Sequence, residues 1–369
     1  MYVRNNNKGR TVNIWFAANI APESSGGIAR SMREFAQGLQ SRGHLTELYF
    51  RKQGGSDNYL WFTVRLGMRL LMRAKNPPDW IIARSSDGFV SAVIAGMLRL
   101  KTKVALHNHG WEEMVIAVER RLPRSIVSHP TTWRAALVRL PLLRATLALS
   151  ACCLSGTLTE TRRLAARYPR YRQKMRYIPN GVFLSQDTKS GVCADTVRTF
   201  LAVGGWTWKK NIEHTLAVFN LVHDAVPSAR LVLAGATEKN DIAAMKSGGY
   251  IETLGAVDPG RMTELYVACP YLLVSSRYEG GHSFAILEAL SHGCIVFATK
   301  IPSTMEIIKD RVNGIFISGC DAEGDAEIII SVLRRKELLH ALSKQAKSTA
   351  FRNRWQRQVE RLEKVLCRL

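Results

Sequence analysis

Short apolar runs and amphipathic stretches alternate along this chain from residue 12 onwards. "VNIWFAA" leads through a glycine-rich turn into "ARSMREFAQGLQSRG", whose apolar positions recur at helical spacing, and then into "HLTELYF". That order predicts a strand, a loop, a helix and a second strand. Further strands are expected at "WIIARS" (80–85), "KVALHNH" (103–109) and "LALSACCLS" (147–155), separated by segments long enough to be crossover helices. A second series follows "RYIPNGV" (176–182): "TFLAVGG" (199–205), "ARLVLAG" (229–235), "YIETLGAV" (250–257), "PYLLVSS" (270–276), "CIVFAT" (294–299) and "GIFIS" (314–318). Strands alternating with helices imply mainly parallel sheets covered on both faces. The expected fold class is α/β, with two doubly wound parallel-sheet domains facing each other across a cleft. Residues 1–182 form the first, 183–350 the second, and 351–369 a final helix that packs back toward the first. The polar, weakly patterned stretch 183–197 is the expected linker.

Composition adds a strong asymmetry of charge. The chain carries 52 Lys and Arg against 30 Asp and Glu, a formal +22, which suits a polyanionic partner such as a membrane, a nucleic acid or a phosphorylated substrate. Residues 1–190 hold 30 basic and 11 acidic residues, net +19, and residues 191–369 hold 22 and 19, net +3. The excess therefore belongs to the N-terminal half. Nucleic-acid binding would bring stacking aromatics interleaved with cations or a recognisable module, and the sequence has none, so no nucleic-acid partner is expected. Seven cysteines without a CxxC spacing indicate neither a zinc site nor a disulfide framework. The start reads as a first strand rather than a signal segment, and Arg139 and Arg144 interrupt the best apolar run near 135–154, well short of the roughly 20 residues that span a bilayer. A cytoplasmic protein, peripheral on the inner face of the membrane, is expected.

The chemistry concentrates in "SSRYEGGHSFAILEALSHGCIVFATK" (275–300). With "PYLLVSS" as a strand and "SFAILEALSHG" as a helix, Gly280, Gly281, His282 and Ser283 stand at a helix N-terminus. Amides there lack intrahelical partners and the macrodipole adds positive charge, so a phosphate can bind without a lysine. Glu288, a turn and a half into the helix, is placed to accept from ribose hydroxyls, and Glu279 faces the sugar on the other side of the phosphates. The plainer alternative is a capped helix with a solvated Glu288.

The ordered set of motifs resembles the retaining glycosyltransferases of family 4, with the GT-B architecture of two facing Rossmann-like domains. The family pattern has two glutamates separated by seven residues, and "EGGHSFAILE" has eight between Glu279 and Glu288. "SSGGIAR" (24–30), with Gly26 and Gly27, looks like the loop that closes over donor phosphates. "HNHGWEE" holds the His-Gly pair of the acceptor side, "YIPNGV" the entry to the second domain, and "VGGWTWKKN" stands where the family has an Arg and a Lys that neutralise the departing diphosphate. Lys210, or its neighbour Lys209, fills the lysine role. Gly205 replaces the Arg, for which Lys209 and Lys210 together, with Arg30, are the expected compensation.

The resemblance implies a nucleotide-sugar donor, a glycan or lipid-linked acceptor in polysaccharide or lipopolysaccharide synthesis, and retention of anomeric configuration. No two aspartates are spaced i, i+2, so no metal and no other cofactor are expected. Glu279 positions the donor sugar, and His109 hydrogen-bonds donor sugar or acceptor, with His107 on the same strand face as its competitor. Glu112 and Glu113 read as loop carboxylates. A catalytically degenerate relative is the alternative that Gly205 and the longer glutamate loop raise. Finally, "NYLWFTVRLGMRLLMRAK" (58–75) sets Arg65, Arg69 and Arg73 at i, i+4 and i+8 beside Trp61, the profile of a helix lying on an anionic membrane surface.

Overall fold

The structure is a computed structural model that describes residues 11–21, 26–51, 59–127, 131–185, 198–235 and 249–369. The chain divides into two compact units, Met1–Asn180 with Trp355–Leu369, and Gly181–Arg354. The expected boundaries differ by two residues at the first crossing and four at the second. Most of the expected linker lies outside the described residues.

In unit 1, strands β1 (Asn13–Ala18), β2 (Leu45–Phe50), β3 (Trp80–Arg84), β4 (Lys103–Asn108), β5 (Cys152–Ser155) and β6 (Met175–Tyr177) form one parallel sheet in the order β2-β1-β3-β4-β5-β6. Helices α1 (Gly27–Gln40), α2 (Tyr59–Met72), α3 (Phe89–Met97), α4 (Glu112–Glu119), α5 (Trp133–Leu149) and α6 (Leu158–Arg167) cover it. The run expected as a strand over 147–155 is divided: its first residues finish α5, and only Cys152–Ser155 pair in the sheet. A purely apolar run carries no period to separate the end of a buried helix from a strand. The three-residue strand β6 was too short to read from its pattern.

In unit 2, β7 (Thr199–Val203), β8 (Arg230–Ala234), β9 (Ile251–Gly255), β10 (Tyr271–Val274), β11 (Ile295–Thr299) and β12 (Ile315–Ile317) form a second parallel sheet in the order β12-β11-β10-β7-β8-β9. Its helices are α7 (Ile212–Ala225), α8 (Pro259–Ala268), α9 (Phe284–His292), the short α10 (Pro302–Met305), α11 (Ala322–Leu333) and α12 (Lys336–Arg352). Burial on both faces explains the near-continuous apolar strands: β10 and β11 are buried at every position. Phe200, Phe219, Tyr271 and Phe297 form the aromatic centre of one layer, and Leu272, Ile286, Leu290 and Val296 lie in the other.

The last helix, α13 (Trp355–Arg368), belongs to unit 1. Trp355 meets Phe35 edge-on at 5.1 Å, Arg42 pairs with Glu363 at 2.7 Å, and Trp80 Nε1 donates to the Leu366 carbonyl at 3.1 Å. The amphipathic pattern of the final segment is thus satisfied by one apolar face against α1 and an ion pair at its rim.

Each sheet has one place where the winding reverses. In unit 2, β7 lies between β8 and β10, so the loops after β7 and β10 diverge there. In unit 1, β1 lies between β2 and β3. Loops that part in this way leave a crevice at the carboxyl ends of the strands, and the candidate residues collect at both.

Candidate active site

In unit 2 the crevice opens between the exits of β7 and β10. After β7 the chain turns through Gly204 at φ 145°, and a Cβ there would stand 3.1 Å from the Lys210 side chain. Gly235, at φ 154°, comes so close that a Cβ would lie 2.0 Å from the Gly204 carbonyl oxygen. Only glycine fits such an approach, and the result is a path along which the Lys210 stem lies against bare backbone. Lys210 Nζ reaches Glu279 Oε1 at 2.6 Å, with the two side chains 25% and 14% exposed. Ser276 Oγ donates to the same carboxylate oxygen at 2.8 Å. The residue added to this loop has therefore not carried Glu279 away from Lys210.

The two loops are stitched together by main chain. The amides of Arg277 and Tyr278 both donate to the Lys209 carbonyl, at 2.8 and 3.4 Å. Arg277 Nη1 donates to the Trp208 carbonyl at 3.1 Å, and burial pushes its guanidinium pKa down. Lys209 Nζ sits 5.6 Å from the ring centres of both Trp208 and Tyr278, an arrangement that holds the ammonium by cation–π attraction. Three cations from two loops thus share one crevice. Arg277 was not singled out from the sequence; the signal available was its place, one residue beyond a strand end.

Gly280, Gly281, His282 and Ser283 lead into α9. Ser283 is the N-cap, with extended backbone and no side-chain cap bond, so its hydroxyl does not occupy the first-turn amides. His282 is buried with Nε2 3.4 Å from Glu306 Oε2. Glu288 accepts from Tyr266 Oη at 3.0 Å, and the Tyr266 ring stacks on His292 at 5.4 Å. Tyr266, from α8, orients Glu288 and had no signal in the sequence beyond its position on an amphipathic helix. Gly293, at φ 77°, closes the helix, which is the left-handed cap glycine favours.

In unit 1, Gly26 caps α1 and Gly27 begins it. Ser24 and Ser25 of the same motif lie outside the described residues. His109 follows β4, with its ring 4.1 Å from that of His107. Burial takes His107 down to about 4, and burial, His107 and Arg84 hold His109 well below the ordinary histidine range. Burial thus favours the neutral form of both imidazoles.

Two carboxylates share this end of the sheet. Asp87, after β3, is fully buried and accepts from the Asn19 amide at 2.8 Å, across the winding reversal. Burial raises its pKa to about 7 against the pull of Arg84. Glu112 accepts from Ser85 Oγ at 3.1 Å, and Ser85 itself holds a left-handed φ of 49°. The sequence flagged Glu112 only as a loop carboxylate and passed over Asp87, although "WIIARSSD" places it just past a strand. Glu113 is a brace: burial raises its pKa, but hydrogen bonds from Tyr168, Arg167, Trp111 and Arg144 prevail and take it to about 2. Among the described residues no cluster of three His, Cys, Asp or Glu suits a metal ion.

Known proteins resemble the chain along its length. The sequence model described as "Glycosyl transferases group 1" matches residues 186–349, and that described as "Glycosyltransferase Family 4" matches residues 25–186. An uncharacterized glycosyltransferase of Methanocaldococcus jannaschii is 28% identical over 128 residues, which is 33% of this chain and 32% of that protein. The sucrose-phosphate synthase of Thermosynechococcus elongatus superposes with a TM-score of 0.74 at 15% identity, covering 96% of this chain and 98% of that one. An Anabaena protein in complex with UDP and glucose gives 0.70 at 14% identity, over 97% and 100%. WaaG, a glycosyltransferase involved in lipopolysaccharide biosynthesis, gives 0.72 at 14%, over 96% and 99%. At these identities the structural likeness carries the fold, and the fold is GT-B.

Proposed function

Because the chain belongs to the group 1 and family 4 glycosyltransferases, we propose that it moves a sugar from a nucleotide-sugar donor to a hydroxyl of a glycan or lipid-linked acceptor, with retention of anomeric configuration. The observation that carries this reading is the Lys210–Glu279 pair at 2.6 Å, set at the winding reversal of unit 2 beside the opening of α9. The diphosphate lies against the glycine-led start of α9, where amides and helix dipole meet its charge. Lys210 neutralises the leaving phosphate, Glu279 holds the donor sugar, and Glu288, oriented by Tyr266, accepts from the ribose. Arg277 and Lys209 supply the further positive charge that Gly205 does not. No metal is needed, since fixed cations and amides already face the place where charge develops.

Solved relatives support the donor class: the Anabaena protein was captured with UDP and with UDP-glucose, and starch synthase IV of Arabidopsis thaliana with ADP and acarbose. A role in cell-surface polysaccharide or lipopolysaccharide synthesis draws on the likeness to WaaG. Thermal-shift measurements with UDP, GDP, ADP and dTDP sugars test the reading. A true donor at 100 times its Kd stabilises by about 2.7 kcal/mol, and Lys210→Ala weakens that response. No stabilisation by any of the four classes would refute it. Gly205 also favours a second reading, a nucleotide-sugar binder without turnover; donor hydrolysis or transfer by the wild type excludes it.

A further inference from the structure

The outer helices of unit 1 carry an apolar face that neither the fold nor the proposed chemistry uses. On α2, Phe62, Leu66 and Leu70 are buried against the sheet. The opposite side exposes Trp61 (66%), Val64 (38%), Met68 (49%) and Met72 (76%). These positions fall within one stripe of the helix. Gly67 lets α2 close on α3, where a Cβ would stand 2.4 Å from Val90 Cγ1. Past the end of that contact, Met97 of α3 is 78% exposed. Helix α5 packs beside α3 and adds Trp133 (63%) and Leu137 (65%). Exposed large apolar side chains in unit 2, by contrast, such as Val267, Val312 and Phe351, stand on separate elements. Scattered exposure is ordinary, and concentration on neighbouring helices is not.

The arginines expected to lead membrane contact take a different place. Arg69 lies over the Tyr49 ring at 4.8 Å, and Arg73 pairs with Glu47 at 2.7 Å and lies over Trp15 at 5.5 Å. Both are drawn toward β2, on the flank of the apolar stripe. Arg65 is half-buried, and Trp61 is exposed. Arg99 and Lys101, next to Met97, are exposed, as is Arg144 on α5, which pairs with Glu113 at 2.9 Å.

We propose that the exposed face of α2, α3 and α5 docks on an anionic lipid bilayer, its Trp, Met and Leu side chains entering the interface and its flanking arginines meeting the lipid phosphates. Charge chooses the occupant. A second copy placed on this face by two-fold symmetry would set the same cations against each other, in the half of the chain with a net +19. Side chains exposed by 60% or more protrude rather than line a groove, which suits acyl chains that reshape around them. The inference does not depend on the transfer chemistry: vesicle binding and nucleotide binding fail or succeed separately.

Flotation with phosphatidylcholine vesicles, with and without 30 mol% phosphatidylglycerol as a roughly physiological anionic load, tests it. The protein is expected on the anionic vesicles, and the triple variant W61S/M68S/M72S to bind at least about 100-fold more weakly, a lower bound for withdrawing three large apolar side chains that enter the interface only in part. R69Q and R73Q each cost only about 5-fold. Nucleotide binding stays unchanged in all of them. Brominated lipid should quench the wild type, and W61F/W133F, which keeps the bulk, should lose most of that quenching while still floating. Equal flotation of the triple variant, unchanged quenching in W61F/W133F, or no binding to anionic vesicles would each overturn the proposal. So would a dimer in sedimentation that the triple variant dissociates.

Discussion

At the winding reversal of unit 2 the strand ends present Lys209, Lys210 and Arg277 beside a glycine-led helix. At that of unit 1 they present Asp87 and Glu112 with two histidines. The half of the chain with the large positive charge thus has a crevice in which Arg84 and Arg139 offset Asp87 and Glu112, and the nearly balanced half has the cationic one. Net charge describes the outer surface, where long arginines sit, and says little about the mouth of a site. On the proposed reading, the donor's diphosphate belongs to unit 2 and the acceptor's hydroxyl to the crevice of unit 1.

Substitutions on each side sharpen or break this contrast. The largest effect is expected from Lys210→Met, which removes the cation facing the leaving group: transfer should fall by about 100-fold or more, in line with loss of one charge-stabilising group. A loss below 10-fold would shift the role to Arg277 or Lys209. Gly235→Ala should cost about 3 kcal/mol of stability, because the added methyl meets a carbonyl oxygen in a backbone region that L residues avoid; urea midpoints measure it. Tyr266→Phe removes the Tyr266 hydrogen bond to Glu288 and should weaken nucleotide binding about 10-fold by calorimetry, the size of one hydrogen bond to a charged group.

The unit 1 crevice is read most simply by pH. The Asp87 pKa is raised from 3.8 to about 7 in the folded protein, so between these values the folded state holds the proton that the unfolded state has lost. Its contribution to stability therefore falls as pH rises from about 4 to about 7 and is flat above. The lowered His107 value of about 4 acts in the opposite sense over about 4 to 6.5. Asp87→Asn isolates the first: wild type minus variant should decline across that window, and a flat difference would mean that Asp87 is solvated. The smallest change is expected from Glu113→Gln, whose braced carboxylate contributes above about 4.5 and loses that contribution as pH falls toward 2.

Much of this was legible in the sequence. Ten of the twelve strands among the described residues could be placed from apolar runs because buried parallel strands leave that pattern, while β5 merged with the end of α5 and β6 was three residues long. The "EGGHS" loop and Glu288 could be found because glycines and carboxylates at a strand-to-helix junction have few structural uses together. Arg277, Tyr266 and Asp87 could not, since their roles depend on which strands neighbour each other: Asp87 matters because β3 lies beside β1, 68 residues away at Asn19. The arginine stripe of α2 was legible as spacing, but its direction was set by Tyr49, Glu47 and Trp15 on other elements.

The central claim is that unit 2 grips the donor diphosphate between Lys210 and the start of α9. A crystal soaked with UDP-glucose, or with whichever donor gives the largest thermal shift, tests it most directly. The account predicts both phosphates within hydrogen-bonding distance of the 281–283 amides and of Lys210 Nζ, with the ribose on Glu288. Phosphates bound at the Asp87 crevice, or away from both, would contradict it.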